Sequence, residues 1–252
     1  IIQREKDFHP NKIWYVVDKR QELHFTQVFR CARRAELVPA ETELEFLGFG
    51  TMNGSDGKPY KTRDGGVMRL SDLIETVTNA SLQRLENSSF VSEDDRESYA
   101  RKLGMAAVKF GDLINHRSKD YIFDLDKFLS SEGKTGIYLL YTVSRINSIM
   151  KKAGDAKAEF TGIYTDEERE LMLKLIMTGD VFNYAMDEKA PNYICENAYQ
   201  LAVSFSRFYH ENHIMDEKDE AKKASWLALA KLVRTVIIKH LDILGIETVE
   251  NM

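Results

Sequence analysis

A stripe of apolar residues near the end of the chain, Trp226, Leu229, Ala230, Val233, Ile237, Leu241 and Leu244, recurs at steps of three and four. That period belongs to an α-helix with one buried face, and a face this long needs other helices to cover it. Gly245 follows at the C′ position, where a left-handed residue closes a helix, and Ile246 supplies the accompanying apolar contact. The same period runs backward through the chain. Ser71 reads as an N-cap before Leu73, Ile74 and Val77, and Ser92 with Asp95 starts a helix carrying Met105, Ala106, Val108 and Phe110. Thr165 and Glu168 have capping-box spacing ahead of Leu171, Leu173, Leu175 and Ile176. Tyr199, Ala202, Val203, Phe205 and Phe208 make a broad apolar face. Everything beyond Ser71 therefore reads as a helical bundle.

The first seventy residues differ. Lys12 to Val17 is a short apolar, β-rich run ending at Asp18, and Leu44 to Phe49 is a second one. Between them Leu23, Val28, Phe29 and Ala32 fall at helical spacing. A loop rich in Gly, Pro and charge follows, from Gly54 to Gly66. The expected fold is mostly α: an α/β remnant followed by an all-α bundle.

With 252 residues, 43% hydrophobic and 30% charged, the composition is that of a soluble globular protein holding one large or two modest domains. No apolar run approaches the roughly 18 residues of a membrane span. Cys31 and Cys195 lie far apart, without zinc or disulfide spacing, which points to a reducing, cytoplasmic compartment. The first residues, Ile-Ile-Gln-Arg-Glu-Lys, show neither an initiator Met nor a signal peptide, so a fragment is expected. A net charge of -5 excludes little, because a local basic patch suffices for phosphate contacts.

Two stretches hold candidate chemistry. In the first, a strand ends in polar residues and a loop carries Lys58, Lys61 and Arg63. Ligands of open α/β sheets sit at the carboxyl ends of strands. Three cations on a loop can close over a polyphosphate, and they can equally be a solvated surface. In the second, Tyr138, Tyr141 and Arg145 fall at three- and four-residue steps on one helix face. Two rings and a guanidinium suit unpaired RNA bases, and they also suit half-buried bundle residues with the arginine paired to an acid.

Val16-Val-Asp-Lys-Arg-Gln-Glu-Leu-His-Phe-Thr-Gln-Val-Phe29 and the loop Asp56-Gly-Lys-Pro-Tyr-Lys-Thr-Arg-Asp-Gly-Gly66 resemble the arginyl-tRNA synthetases, a class I family. In that family the loop stands in for the Lys-Met-Ser-Lys-Ser signature. Lys109-Phe-Gly-Asp-Leu113, Tyr121-Ile-Phe-Asp-Leu-Asp126 and Glu132 to Ile149 resemble the segment leading into its anticodon-binding domain. Tyr199 to Tyr209 and the ending Leu244 to Met252 resemble that domain's closing helices. The likeness covers essentially the whole chain in order. It implies a partial class I Rossmann-like α/β remnant over residues 1–130 and an all-α anticodon-binding domain over 131–252.

The resemblance also implies roles. Gln21 would help hold arginine, while His24, Phe49 and Gly50 would lie near ATP. Lys58, Lys61, Thr62 and Arg63 would form the loop over the pyrophosphate. Tyr138, Tyr141, Arg145, Tyr209, His213 and Met252 would meet the tRNA anticodon. The implied activity is arginine–tRNA ligation through arginyl-adenylate, with ATP and Mg2+ in the parent enzyme, by a cytoplasmic monomer with no membrane partner. The family's His-Ile-Gly-His signature is not found in this sequence, so the chain alone is expected to be catalytically inactive. The main alternative is a stand-alone RNA-binding or scaffolding module derived from a synthetase, with residues 1–80 as a docking surface. A third is an unrelated helical protein with a nucleotide-binding loop. His116, His210 and His240 have no second His or Cys at ligand spacing, so no metal site is expected.

Overall fold

The computed structural model describes residues 1–59, 68–86 and 91–252. They divide into two compact units: the described residues of Ile1–Tyr60 with His116–Ile122, and those of Lys61–Asn115 with Phe123–Met252.

The first unit opens with a short helix, α1 (Ile2–Phe8), and then strand β1 (Lys12–Asp18). A 3-10 turn (Lys19–Gln21) leads into helix α2 (Glu22–Arg34), and the chain returns as β2 (Glu43–Phe49). β1 and β2 are parallel, with Ile13 opposite Leu44 and Asp18 opposite Phe49. Parallel neighbours require a crossover, and α2 provides it. Its inner face packs aromatic rings on the sheet: Phe25 lies 5.1 Å from Tyr15 and 5.7 Å from Phe46, and Phe29 lies 5.3 Å from Tyr15. Beyond the helix, the Arg33 guanidinium donates to the carbonyls of Pro39 and Thr42, which satisfies the turn before β2. Both strands and the helix thus occur where the apolar runs place them. One pairing carries no sequence signature: β3 (Met52–Asn53) lies parallel to β4 (Tyr121–Ile122), each only two residues long.

The second unit is helical: α3 (Leu70–Leu85), α4 (Arg96–Leu113), α5 (Leu125–Phe128), α6 (Gly136–Ala153), α7 (Asp166–Ile176), α8 (Thr178–Glu188), α9 (Asn192–Glu211) and α10 (Glu220–Ile243). Its core joins Phe110, Leu139, Leu140, Ile146, Phe205, Phe208, Leu229 and Ile237, all at most 0% exposed. The α10 stripe is buried as its period requires, and Gly245 takes φ +67°, with Ile246 N–H donating to Leu241 O at 2.8 Å. Thr165 caps α7, its hydroxyl accepting from Glu168 N–H at 3.3 Å. Ser71 is a correction. It lies inside α3, whose N-cap is Arg69, because its hydroxyl bonds the neighbouring Asp72 carboxylate while Asp72 and Leu73 N–H already close on Arg69 O. No helix among the described residues is long and apolar enough to cross a membrane.

His240 of α10 is fully buried, with Nδ1 2.7 Å from Val236 O, Nε2 2.8 Å from Asn197 Oδ1 and the Phe182 ring at 4.9 Å. Burial pulls its pKa below 6.5, outweighing the Val236 carbonyl, which favours the proton. The unfolded chain then binds a proton that the folded chain refuses. Stability therefore falls as pH drops through about 6.5, by at most about 1.4 kcal/mol per pH unit. Urea unfolding of wild type and His240→Gln at pH 7.5 and 5.5 checks this: the wild type should lose more stability on acidification than the variant.

Candidate functional site

In the first unit the parallel register brings the ends of β1 and β2 side by side, with Asp18 opposite Phe49. Polar residues collect there because the strand stops and the chain turns. Asp18 accepts from Arg20 N–H at 2.8 Å and from Arg20 Nε at 2.9 Å, and this guanidinium holds its carboxyl down to about 2. Gln21 is the N-cap residue of α2 and is exposed; His24, one turn in, is also exposed and meets Phe25 edge-on at 5.4 Å. Phe49 is 42% exposed.

Gly50 sits against another stretch of backbone. A Cβ there would lie 2.2 Å from Lys119 O, so no side chain fits. Its N–H donates to Arg117 O at 2.8 Å, and Tyr121 N–H returns to Thr51 O at 3.1 Å. Asp120 Oδ1 accepts from Thr51 N–H at 2.7 Å and from Lys19 Nζ at 2.9 Å. Residues 116–122 therefore brace both strand ends. Sequence reasoning missed Lys19 and Asp120, because no local pattern announces a bond between positions 101 apart. From this braced base the loop runs through Gly57, at φ +72°, to Lys58. Lys58 N–H donates to Asp56 Oδ1 at 3.0 Å, its carbonyl accepts from Gly54 N–H at 2.8 Å, and its side chain is exposed. Lys61, Thr62 and Arg63 lie outside the described residues.

The second candidate site is on α6 and α9 of the helical unit. Thr135 caps α6, its hydroxyl accepting from Tyr138 N–H at 3.0 Å, which fixes where the helix begins and hence which way its residues face. The Arg145 guanidinium lies over the Tyr209 ring at 4.5 Å, and Tyr209 stacks on Phe205. Arg145 is thus paired with a ring and, among the described residues, with no acid. Tyr138 is half-buried: its hydroxyl is 3.2 Å from Ser206 Oγ and its ring 5.7 Å from Tyr199. Tyr141 is 41% exposed and, among the described residues, makes no side-chain hydrogen bond or ring contact. His213 is exposed in the turn after α9, where its carbonyl accepts from Asp216 N–H at 3.0 Å. Met252 is partly buried against the helical core. The structure brings Arg145 and Tyr209 together and sets Tyr138 on α9. It adds Tyr199, Ser206 and the Lys134–Glu196 pair at 2.7 Å, whose Lys134 ammonium lies 5.5 Å from the Tyr199 ring. Tyr199 stood in the helical pattern as a core residue, and nothing local marked it as a neighbour of Tyr138.

Cys195 is fully buried, and burial pushes its thiol up to about 12, so it packs and does not react. Among the described residues no group of three His, Cys, Asp or Glu could hold a metal ion.

The model of the class I (R) tRNA synthetase catalytic domain matches residues 1–125, and the model of the DALR anticodon binding domain matches residues 139–252. The arginine–tRNA ligase of Alkaliphilus oremlandii is 45% identical over 256 residues, covering 100% of this chain. The chain belongs to the arginyl-tRNA synthetase family.

The arginine–tRNA ligase of Agathobacter rectalis is 42% identical, again across 100% of the chain. The chain spans 44% of the length of both of these relatives. Among solved structures, the Plasmodium falciparum arginyl-tRNA synthetase superposes with a TM-score of 0.81 at 24% identity, over 100% of this chain and 43% of that one. The Thermus thermophilus arginyl-tRNA synthetase gives 0.78 at 22%, over 96% and 41%. These two likenesses show the fold: a partial Rossmann-like remnant followed by the helical DALR domain, as the order of strands and helices led us to expect.

Proposed function

We propose that these residues serve an arginine–tRNA ligase, with 131–252 reading the tRNA anticodon and 1–130 supplying the signature-loop side of the ATP site. The observation that carries this reading is the Arg145–Tyr209 stack beside the exposed Tyr141, within the stretch that matches the anticodon-binding model. Unpaired bases are held by stacking on aromatic rings and guanidinium planes and by hydrogen bonds to their edges. Tyr141 supplies an open ring, and Arg145 a plane already oriented by Tyr209. Tyr138, its hydroxyl held by Ser206, braces the face, and His213 and Met252 complete its rim.

In the catalytic half, Gln21 holds the arginine, while His24, Phe49 and Gly50 line the nucleotide. Lys58, Lys61, Thr62 and Arg63 offset the charge that develops as arginine attacks the α-phosphate of ATP and pyrophosphate departs. Mg2+ enters with the ATP phosphates. The protein acts as a cytoplasmic monomer on arginine, ATP and the tRNA for arginine.

The test is a titration of this chain, at fixed salt, against arginine tRNA and the same tRNA with its anticodon bases changed. Salt is fixed because phosphate contacts alone shift affinity by orders of magnitude. A base–aromatic stack is worth about 1–3 kcal/mol, so Tyr141→Ala should weaken binding roughly 5- to 150-fold, and the anticodon change should do the same. Equal binding to both tRNAs sinks the anticodon reading. These 252 residues should show no ATP–pyrophosphate exchange by themselves, since groups must surround the transition state on both sides. Measurable exchange refutes that.

A further inference from the structure

Both strand ends of the first unit are tied to one side chain that comes from far along the sequence. Asp120 Oδ1 accepts from Lys19 Nζ, just past β1, and from Thr51 N–H, just past β2. Lys19 Nζ also reaches Ser118 O at 3.4 Å. Around this oxygen the backbone is locked: Gly50 N–H to Arg117 O, Tyr121 N–H to Thr51 O, and Arg117 Nη1 to Gly48 O at 3.2 Å. The Lys19 and Asp120 side chains are 41% and 46% exposed, so as an ion pair they add little to stability. Their effect is on geometry. Residues 48–53 carry Phe49 and Gly50 on one side and launch the Lys58 loop on the other, and a misplaced catalytic loop loses rate steeply.

We propose that Asp120 is a positioning residue of the nucleotide site, holding the Lys19 and Thr51 ends of the two strands in one geometry through a single carboxylate oxygen. The inference rests on reading these strand ends as the nucleotide site. The charge state suits the role, because the Lys19 ammonium and the Thr51 amide hold the Asp120 carboxyl below its ordinary value.

Two measurements decide it. In the full-length gene product, ATP–pyrophosphate exchange by Asp120→Ala should show kcat lowered about 10- to 100-fold, with the KM for arginine within about twofold. Asp120→Asn, which keeps an acceptor for Thr51 but not the charge, should recover part of the loss. Lys19→Met should act in the same direction, and Asp120→Ala/Lys19→Met should be no worse than the single Asp120→Ala, as expected for groups that act through each other. An unchanged kcat, or losses that multiply in the double variant, overturns the proposal. The second measurement uses the 252-residue chain itself: amide hydrogen exchange at Gly50 and Thr51 should quicken at least tenfold in Asp120→Ala, with the α10 amides unchanged. Unaltered exchange there overturns the tether even if the enzyme reading stands. If the unsubstituted gene product, assayed with arginine, ATP and arginine tRNA all present, shows no exchange activity, it is the functional reading that falls, and the amide measurement still decides the tether.

Discussion

Glu168→Ala is expected to cost the helical unit about 3–5 kcal/mol, a large loss for one side chain outside the apolar core. Glu168 is fully buried, and its carboxyl accepts hydrogen bonds from two N–H groups. Oε2 takes Tyr164 N–H at 2.8 Å and Trp226 Nε1–H at 3.2 Å, while Oε1 lies 3.4 Å from the Ser225 hydroxyl, which donates its proton at 2.8 Å to Gly162 O. Removing the acceptor strands an indole N–H in a side chain only 3% exposed, and it releases the start of α7 from α10. Each unsatisfied buried donor costs about 1–3 kcal/mol, and the vacated volume adds to that. Glu168→Leu separates the two contributions, since it fills the space but accepts nothing. Chemical denaturation should find both variants strongly destabilised. A leucine variant as stable as wild type would show that volume, and not the stranded donors, governs the site.

Gly50→Ala, a change of one methyl group, should lower ATP–pyrophosphate exchange by the full-length gene product about 100-fold. The added carbon would sit 2.2 Å from Lys119 O, 2.4 Å from Lys119 C and 2.8 Å from Asp120 N. All three are backbone atoms, so neither a rotamer change nor a bend of a flexible side chain relieves the overlap. Either residues 116–122 move away or the chain after Phe49 does, and both break the bonds from Gly50 N–H to Arg117 O and from Thr51 N–H to Asp120. Full activity in Gly50→Ala would mean that the two stretches separate without consequence, and the nucleotide site would then lie elsewhere.

The sequence discloses the parts that rest on periodicity. Lys12 to Val17 is readable as a strand because it is a short apolar, β-rich run, although only one face is covered by α2 while Trp14 and Val16 on the other are 44% and 61% exposed. α10 is readable because its stripe and Gly245 agree on where the helix lies and where it stops. At Ser71 local chemistry misleads: a hydroxyl before an apolar run looks like a cap, but the neighbouring Asp72 competes for it. On α6, helical spacing puts Tyr138, Tyr141 and Arg145, the residues proposed to meet the anticodon, on one side of the helix. It does not say that Tyr138 turns onto Tyr199 while Tyr141 stays open, because that depends on how far α9 overlaps α6. The Asp120 tether is illegible for a deeper reason: its partners are 101 and 69 positions away, and no pattern confined to a window of neighbours encodes such a meeting.

That distance also sets a timetable for synthesis. β1, α2 and β2 can pair once residue 49 has left the ribosome, but β3 gains its partner only with Tyr121 and Ile122. At ~5–20 residues per second this leaves about 3–14 s in which the turn after Phe49 exists without its brace. Slow translation of the stretch between Asn53 and Tyr121 lengthens this interval, so the pace of synthesis there sets how long the turn after Phe49 stays unheld.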